Sequence, residues 1–327
     1  MIRSQPNTLS DQKGGALITV LILVVILSFL VLSISQLITH SSKRAIASRS
    51  YSEIYWRAVG MEALAKQAIN RALELSENAP LTPDNPLFAT VYVIPMEGAS
   101  AQLAFVDDTR CLNLNSFVNP ESSSSSNINP LVRTELGALA ETLALSGADV
   151  EGLMSAVVDW IDPDDFQESR GAEDNFYTAL PTPYRSGAGP VVAVSELRAM
   201  AGVTSDLYRQ LSPFLCAHPE AAPTEVNVNH LTPSDAPLLA AVLGDKSVVE
   251  AQNIIASRPP GGYQDVNEFY SSSGIAAPAE ARLGVQSQYI TANGIVQQGE
   301  ISLELTIYFS ISGTTVAVMS RRIGGDV

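Results

Sequence analysis

The stretch that decides the fold is Gly14–Ile38, GGALITVLILVVILSFLVLSISQLI, with no charged residue between Lys13 and Lys43. About 20 apolar residues are enough to cross a bilayer core as a helix. The run does not stop as a plain anchor stops. It passes into SSKRAIASRSYSEIYWRAVGMEALAKQAINRALEL, residues 41–75, without a Pro and with Gly60 as its only Gly. Ile54, Ala58, Met61, Leu64, Ala65, Ala68, Ile69, Ala72 and Leu73 then recur at helical spacing. The pattern predicts one long helix, apolar on every side at its start and one-sided further on. Asn78-Ala79-Pro80 and Thr82-Pro83-Asp84-Asn85-Pro86 end it, because Pro cannot continue a helix.

Ahead of the run lies a short polar segment, MIRSQPNTLSDQKG, residues 1–14. A secretory signal has a shorter apolar core followed by a small-residue cleavage site. Here the run is longer and ends in SISQLITHSSKR. Two readings stay open: a signal anchor with Lys13 on the cytoplasmic side, or cleavage before the run.

Beyond the helix, Phe88–Pro95, Ala101–Val106 and Cys111–Leu114 have strand character, with Gly98 and Asp107-Asp108 where hairpin turns would fall. Five serines at 122–126 read as a flexible boundary loop. From Leu131 to about Tyr270 the chain reads as helical over 131–145, 150–160, 195–201, 205–215, 232–243, 247–257 and 265–270. Alternation returns over 286–296, 301–310 and 315–322, with Asn293-Gly294, Gln298-Gly299 and Ser312-Gly313 marking bends or turns. Strands on both sides of a helical block predict an α+β fold: one antiparallel sheet domain with a helical insertion.

The net charge is −15 over 327 residues. Affinity for a phosphate backbone comes mostly from counterions released by Lys and Arg, so the charge argues against a nucleic-acid partner. Two segments, 195–215 and 226–269, resemble helix-hairpin-helix units. Lys246 is nearly alone among acidic neighbours there, so they read as modules for protein contacts. The three histidines, His40, His218 and His230, have no zinc spacing. There is no Gly-x-Ser-x-Gly and no phosphate-binding Gly-rich loop.

One cluster stands out. VVDWIDPDDFQESRGAEDNFYTALPTPYR, residues 157–185, crowds Asp159, Asp162, Asp164, Asp165, Glu168, Glu173 and Asp174 against only Arg170 and Arg185. Ca2+ takes 6–8 oxygens in flexible geometry and offsets such repulsion; a solvated acidic loop capping the next helix is the alternative. The spacing is not that of an EF-hand. Two cysteines, Cys111 and Cys216, are either buried free thiols or a disulfide, which needs an oxidising compartment.

Several motifs carry a family resemblance that covers nearly the whole chain. Lys13-Gly14 followed by GALIT resembles the processing site of type IV prepilins and type II secretion pseudopilins. The RCLNLN strand, DWIDPDD followed by GAEDNFYTALPTPYR, SELRAMAGVTSDLYRQLSPFLC, VNVN, ASRPPGGYQDVNEF and LGVQSQYITANG look like the large minor pseudopilin of type II secretion, the K subunit family. The resemblance implies a pilin-like fold, a long helix on a small antiparallel sheet with a large all-helical insertion. Its expected divisions are a leader (1–14), a membrane and filament-packing helix (15–38), an amphipathic helix with the first strands (39–120), an inserted helical domain (121–280) and the closing strands (281–327). It implies cleavage by prepilin peptidase between Gly14 and Gly15, with methylation of the new terminus. It also implies a Cys111–Cys216 disulfide and structural Ca2+ in the acidic loop, with Asp159, Asp162, Asp164, Glu173 and Asp174 as the ligand candidates.

The implied function is structural, without catalysis. The chain would sit at the pseudopilus tip with the minor pseudopilins I and J, on a filament of the major pseudopilin and an inner-membrane assembly platform. It would be anchored by one pass in the inner membrane, with its soluble part in the periplasm, and would support protein export across the outer membrane. Most such chains carry Glu at the fifth mature position, where it pairs with a neighbour's terminal amine. Here that position is Thr19, which suits a subunit with nothing ahead of it. The alternatives are a type IV pilus-type minor pilin and, more remotely, a membrane-anchored periplasmic hydrolase.

Overall fold

Helix α1 runs unbroken from Gly15 to Ser76, as expected of a segment with no interior Pro. The computed structural model describes residues 15–77, 79–119, 127–277 and 282–324. Gly14, the remainder of the expected leader and the Ser122–Ser126 loop lie outside them. The chain divides into two compact units, with the boundary between Arg57 and Ala58.

In the first unit the apolar side chains from Leu17 to Ile38 are exposed all round the helix. Several of its hydroxyls are satisfied within the helix: Ser28 donates to the Val24 carbonyl, Ser33 to Phe29 and Thr39 to Ser35, each at 2.8 Å. That is how a polar side chain is tolerated in a helix facing hydrocarbon. The helix is long and apolar enough to cross a membrane.

In the second unit, Ala58, Met61, Ala65, Ile69 and Ala72 form the buried stripe of α1. After the one-turn helix α2 (Pro86–Ala89) come β1 (Tyr92–Met96) and β2 (Ala99–Asp107), joined by a turn at Gly98 with φ 68°. The expected strand from Phe88 therefore starts later. Asn85 accepts a hydrogen bond from the Leu87 amide at 2.9 Å and Pro86 takes the first helical position, so that stretch turns helical first. Asp107-Asp108 is not a hairpin turn either: there the chain leaves the sheet.

A short strand β3 (Leu112–Asn113) leads into the helices α3 (Pro130–Thr142), α4 (Gly147–Ile161), α5 (Asp174–Thr178) and α6 (Ser205–Leu211). Strands β4 (Leu215–Cys216) and β5 (Val226–Asn227) precede α7 (Ala236–Leu243), α8 (Val248–Ala256) and α9 (Val266–Ser273), and β6 (Leu283–Gly284) closes the block. Residues 195–201, expected as an α-helix, form a 3-10 turn over Val194–Ala199, and the helix from Ser205 gives way at Ser212 to a 3-10 turn and β4. Almost every residue of α7 is buried; a helix apolar on all sides belongs at the centre of a core. β3 pairs in parallel with β4, not with the main sheet, so the sheet's first half stops at Asp107.

The chain returns as β7 (Tyr289–Gln298), β8 (Ile301–Ser312) and β9 (Thr315–Ile323). The antiparallel sheet has the order β1-β2-β7-β8-β9. Asn293-Gly294 is not a turn. It lies within β7, where Leu103 and Leu305 flank Gly294 in register and a Cβ would approach their side chains within 3.6–3.7 Å. The turns fall at Gly299 and Gly313, both at positive φ. Alternation buries Ala101, Leu103 and Phe105 of β2 with Val296 and Ala292 of β7 and Leu303, Leu305, Ile307 and Phe309 of β8 on one face. This is the face a helix covers, and Glu62 of α1 pairs with Arg321 of β9 at 2.6 Å.

β2 and β7 are neighbours, yet the whole helical block lies between them. Its base is closed by polar groups. The Asp108 amide donates to the Tyr289 carbonyl at 2.9 Å, and Thr109 Oγ1 accepts from the amides of Gln288 and Tyr289, each at 2.9 Å. The Asn227 amide donates to the Thr109 carbonyl at 2.6 Å, and its side chain donates to Asp107 at 3.1 Å. The VNVN motif thus fastens the helical block to the end of β2.

Candidate functional site

Helix α4 is buried without a break from Leu153 to Trp160 and ends at Asp162, where Pro163 forbids another turn. Asp159 and Asp162, three residues apart, share its last turn. Negative charge is unfavourable at a helix C-terminus, and no basic residue occupies that turn. The chain then loops through Asp164, Glu168 and Gly171 to Glu173, which precedes α5.

This loop brings Asp162, Asp164 and Glu173 together, with one carboxylate oxygen of each within 4.8 Å of the others. Asp162 and Glu173 are buried, and Asp159 is fully buried beside them. Asn127 donates through its side chain to Asp162 at 3.1 Å, and its amide donates to Glu168 at 2.7 Å. Asp159 accepts from the Glu168 amide at 2.9 Å through one oxygen. The other oxygens are buried without a partner: Asp159 Oδ2, Asp162 Oδ1 and Glu173 Oε1. Gly171 makes this packing possible. A Cβ there would lie 2.0 Å from Asp159 Oδ2 and 2.8 Å from the Ser155 carbonyl oxygen.

The crowding shows in the acidities. Burial raises Asp159 to about 6, with the charges of Asp162 and Glu168 adding to it. Burial and then Asp159, Asp162, Asp164 and Asp165 raise Glu173 to about 7. Asp162 is raised by burial as well. Asp174 is placed differently. Its carboxylate accepts from the amide and hydroxyl of Ser186 at 2.8 and 2.9 Å and faces Arg185 at 3.4 Å, and these hydrogen bonds lower its pKa. Among the expected ligands it is the one that caps a neighbouring loop.

Aromatic packing holds the two ends of the site. Trp160 packs edge-on against Tyr177 at 5.4 Å, and the Tyr177 hydroxyl accepts from the Ala201 amide at 3.1 Å. Gly187 lets the loop cross Trp160, since a Cβ would come within 2.7 Å of the indole nitrogen.

Cys111 and Cys216 form a disulfide spanning 105 residues, beside the β3–β4 pair. His218 lies close to both sulfurs, but bonded sulfurs offer no thiolate for a metal. Burial pushes His218 down to about 3, so its ring is neutral as it stacks on Tyr289 at 3.5 Å.

Sequence reasoning missed Asn127, Gly171 and the Ser186 cap. A Gly between two acidic runs was a readable signal for Gly171. Asn127 follows a serine tract and carried none.

The profile of the family described as type II secretion system (T2SS), protein K matches residues 110–220 and 226–292. A type II secretion system protein K of Pectobacterium carotovorum is 30% identical, over 97% of this chain and 98% of its own length. One from Klebsiella pneumoniae is 28% identical, over 96% and 97%. The crystal structure of the GspK-GspI-GspJ complex from the enterotoxigenic Escherichia coli type 2 secretion system contains a chain that superposes with a TM-score of 0.74. That chain is 24% identical, and the match covers 86% of this chain and all of that one. The pilin-like sheet, the long helix and the helical insertion are thus a shared fold, and the chain belongs to the type II secretion system protein K family, the large minor pseudopilins of type II secretion.

Proposed function

We propose that this minor pseudopilin ends the pseudopilus at its tip, initiates its assembly and in that way supports protein export across the outer membrane. One observation carries the reading: a complete helical domain is inserted between adjacent strands β2 and β7. A filament of pilin-like subunits stacks one sheet domain over the next, and a subunit carrying this bulk leaves no room for another above it. Thr19 supports the same position. The relative whose solved complex holds GspI and GspJ makes the corresponding minor pseudopilins the natural partners. Prepilin peptidase would cut between Gly14 and Gly15, and α1 would then pass from the inner membrane into the filament of the major pseudopilin above its assembly platform. The soluble part would face the periplasm, where the Cys111–Cys216 disulfide persists. The chain carries out no reaction in this reading.

Ca2+ belongs to the same reading. Asp162, Asp164 and Glu173 would hold it, with Asp159 alongside. The support is three buried carboxylate oxygens without partners, two of them, on Asp159 and Asp162, at a helix terminus that disfavours negative charge. A divalent cation supplies the missing charge and lets all the carboxylates ionise. Its role is to fix the loop between α4 and α5.

The test is labelling of assembled pseudopili through a tag after residue 324, viewed by electron microscopy. Label at one end of each filament is the expected result; label along the length would refute the tip assignment. Calorimetric titration of the chelated protein with CaCl2 tests the cation. Saturable binding that Asp162→Asn abolishes is expected, and no heat of binding would remove calcium from the reading.

A further inference from the structure

A second feature lies away from the acidic loop. Beside the β3–β4 pair the second unit has a cleft of about 340 Å³, and Cys111, Cys216 and His218 all line it. A ring nitrogen of His218 and the two sulfurs lie within 4.8 Å of one another, with Nδ1 3.6 Å from Cys216 Sγ. Cys111 and His218 are buried. The chain order hides this group, because Cys111 stands 105 residues before Cys216. Two sulfurs and one imidazole are a ligand set for a borderline-soft cation, and Zn2+ accepts such a set with water in the fourth place. The cleft is where that water would enter.

The disulfide is not what gathers the three residues. In the β3–β4 pair Leu112 faces Leu215 and Asn113 faces Cys216. The His218 amide donates to Asn113 Oδ1 at 3.0 Å, and Asn115 Nδ2 donates to the His218 carbonyl at 2.7 Å. The His218 ring stacks on Tyr289 at 3.5 Å, and the Tyr289 hydroxyl donates to Glu220 at 2.6 Å. Opening the S–S bond leaves these contacts standing. Two thiolates on one tetrahedral Zn2+, with bonds of about 2.3 Å, are about 3.8 Å apart. The two Cα atoms are 5.7 Å apart, so rotation about each Cα–Cβ bond reaches that separation without moving the backbone. The ion's charge is cancelled by the two thiolates, which a buried site requires.

We infer that the reduced chain binds one Zn2+ through Cys111, Cys216 and His218, and that the ion then takes the place of the disulfide in joining β3 to β4. A dithiol opens the bond: it gives two electrons and two protons to the Cys111–Cys216 pair and leaves as its own disulfide. Zn2+ displaces the two thiol protons to solvent as it binds. The reverse exchange with a disulfide takes the two electrons back, reforms the S–S bond and releases the ion.

The experiment uses the full chain in detergent, reduced with dithiothreitol, freed of it under argon and titrated with CoCl2 as a spectroscopic stand-in for Zn2+. A thiolate-to-cobalt charge-transfer band in the near ultraviolet and the strong visible bands of a tetrahedral ion are expected at one equivalent, and ZnCl2 should erase both. Competition with a chromogenic chelator should return a Kd for Zn2+ below about 1 μM. The oxidised chain should give no charge-transfer band. His218→Gln should weaken Zn2+ binding at least about tenfold, and the melting curve of its oxidised form shows whether that variant is folded. Cys216→Ser should weaken binding by at least as much and covers the case in which His218→Gln misfolds. Zn2+ should raise the melting temperature of the reduced wild type and leave that of Cys111→Ser/Cys216→Ser unchanged. Asp162→Asn should keep the cobalt bands. Absence of the charge-transfer band, or unchanged affinity in folded His218→Gln or in Cys216→Ser, would each overturn the proposal. So would loss of the bands in Asp162→Asn, which would move the ion to the acidic loop, and so would a reduced chain that unfolds and is not restored by Zn2+.

Discussion

At the scale of single residues, the acidic site rests on an absent side chain and on carboxyl groups whose burial raises their pKa. Gly171→Ala places a methyl group on Asp159 and the Ser155 carbonyl. Such overpacking costs about 1–3 kcal/mol, so urea denaturation should show a loss of that size, together with weaker Ca2+ binding. Glu173 makes a pH prediction whose sign can be worked out. Its carboxyl is raised from 4.5 to about 7 in the folded chain, so the folded state holds the proton more tightly than the unfolded one. That contribution is fully present below the unfolded pKa and is lost as pH rises through about 7. In chelator, the wild type should therefore lose stability relative to Glu173→Gln as pH is raised from about 4 to about 8. In excess CaCl2 the order should reverse at the upper end, because the ion favours the ionised carboxylate. Melting curves of the two proteins across that range decide it; parallel curves in both conditions would remove the cation from Glu173.

At the scale of elements, the disulfide and the base of the helical block do the joining. Closing a loop of about 100 residues restricts the unfolded chain by an amount worth roughly 4–5 kcal/mol on the chain-entropy model. Cys111→Ser/Cys216→Ser should lower the unfolding free energy by up to that amount, and reductant should do the same to the wild type but not to the variant. Long elements with one strong period were legible in the sequence: α1, the β7–β8–β9 meander and most of the helical block. What misled was local. Asn85-Pro86 started a helix where a strand was expected, and Asn293-Gly294 stayed extended because Leu103 and Leu305 pair on either side of it. Within the site, the DWIDPDD…GAED run was legible as acidic. Its division into converging Asp162, Asp164 and Glu173 and the capping Asp174 was not, since it depends on Ser186 and on Asn127 arriving from distant loops. Long-range partners of that kind leave no periodicity in the chain.

At the scale of the whole molecule, the two units present opposite surfaces to their surroundings. The first exposes the apolar side chains of its helix from Leu17 to Ile38; the second is an acidic α+β body tied by polar groups at one junction. The melting temperature of the second unit should rise on adding CaCl2 and fall in chelator, with no change in the helical signal of residues 15–57; a melting curve indifferent to both would count against a structural ion. The topology has a separate consequence. Asp107 and Ile290 face each other across the β2–β7 ladder, so the chain departs and returns at a single rung. The helical block is therefore a removable module in the engineering sense. Joining β2 to β7 through an Asn-Gly turn would leave the sheet's register untouched and yield a plain pilin-like subunit. If the inserted block is what ends the filament, such a chain would change from terminator to repeating unit, and filament length would cease to be set by how many copies of it the cell makes.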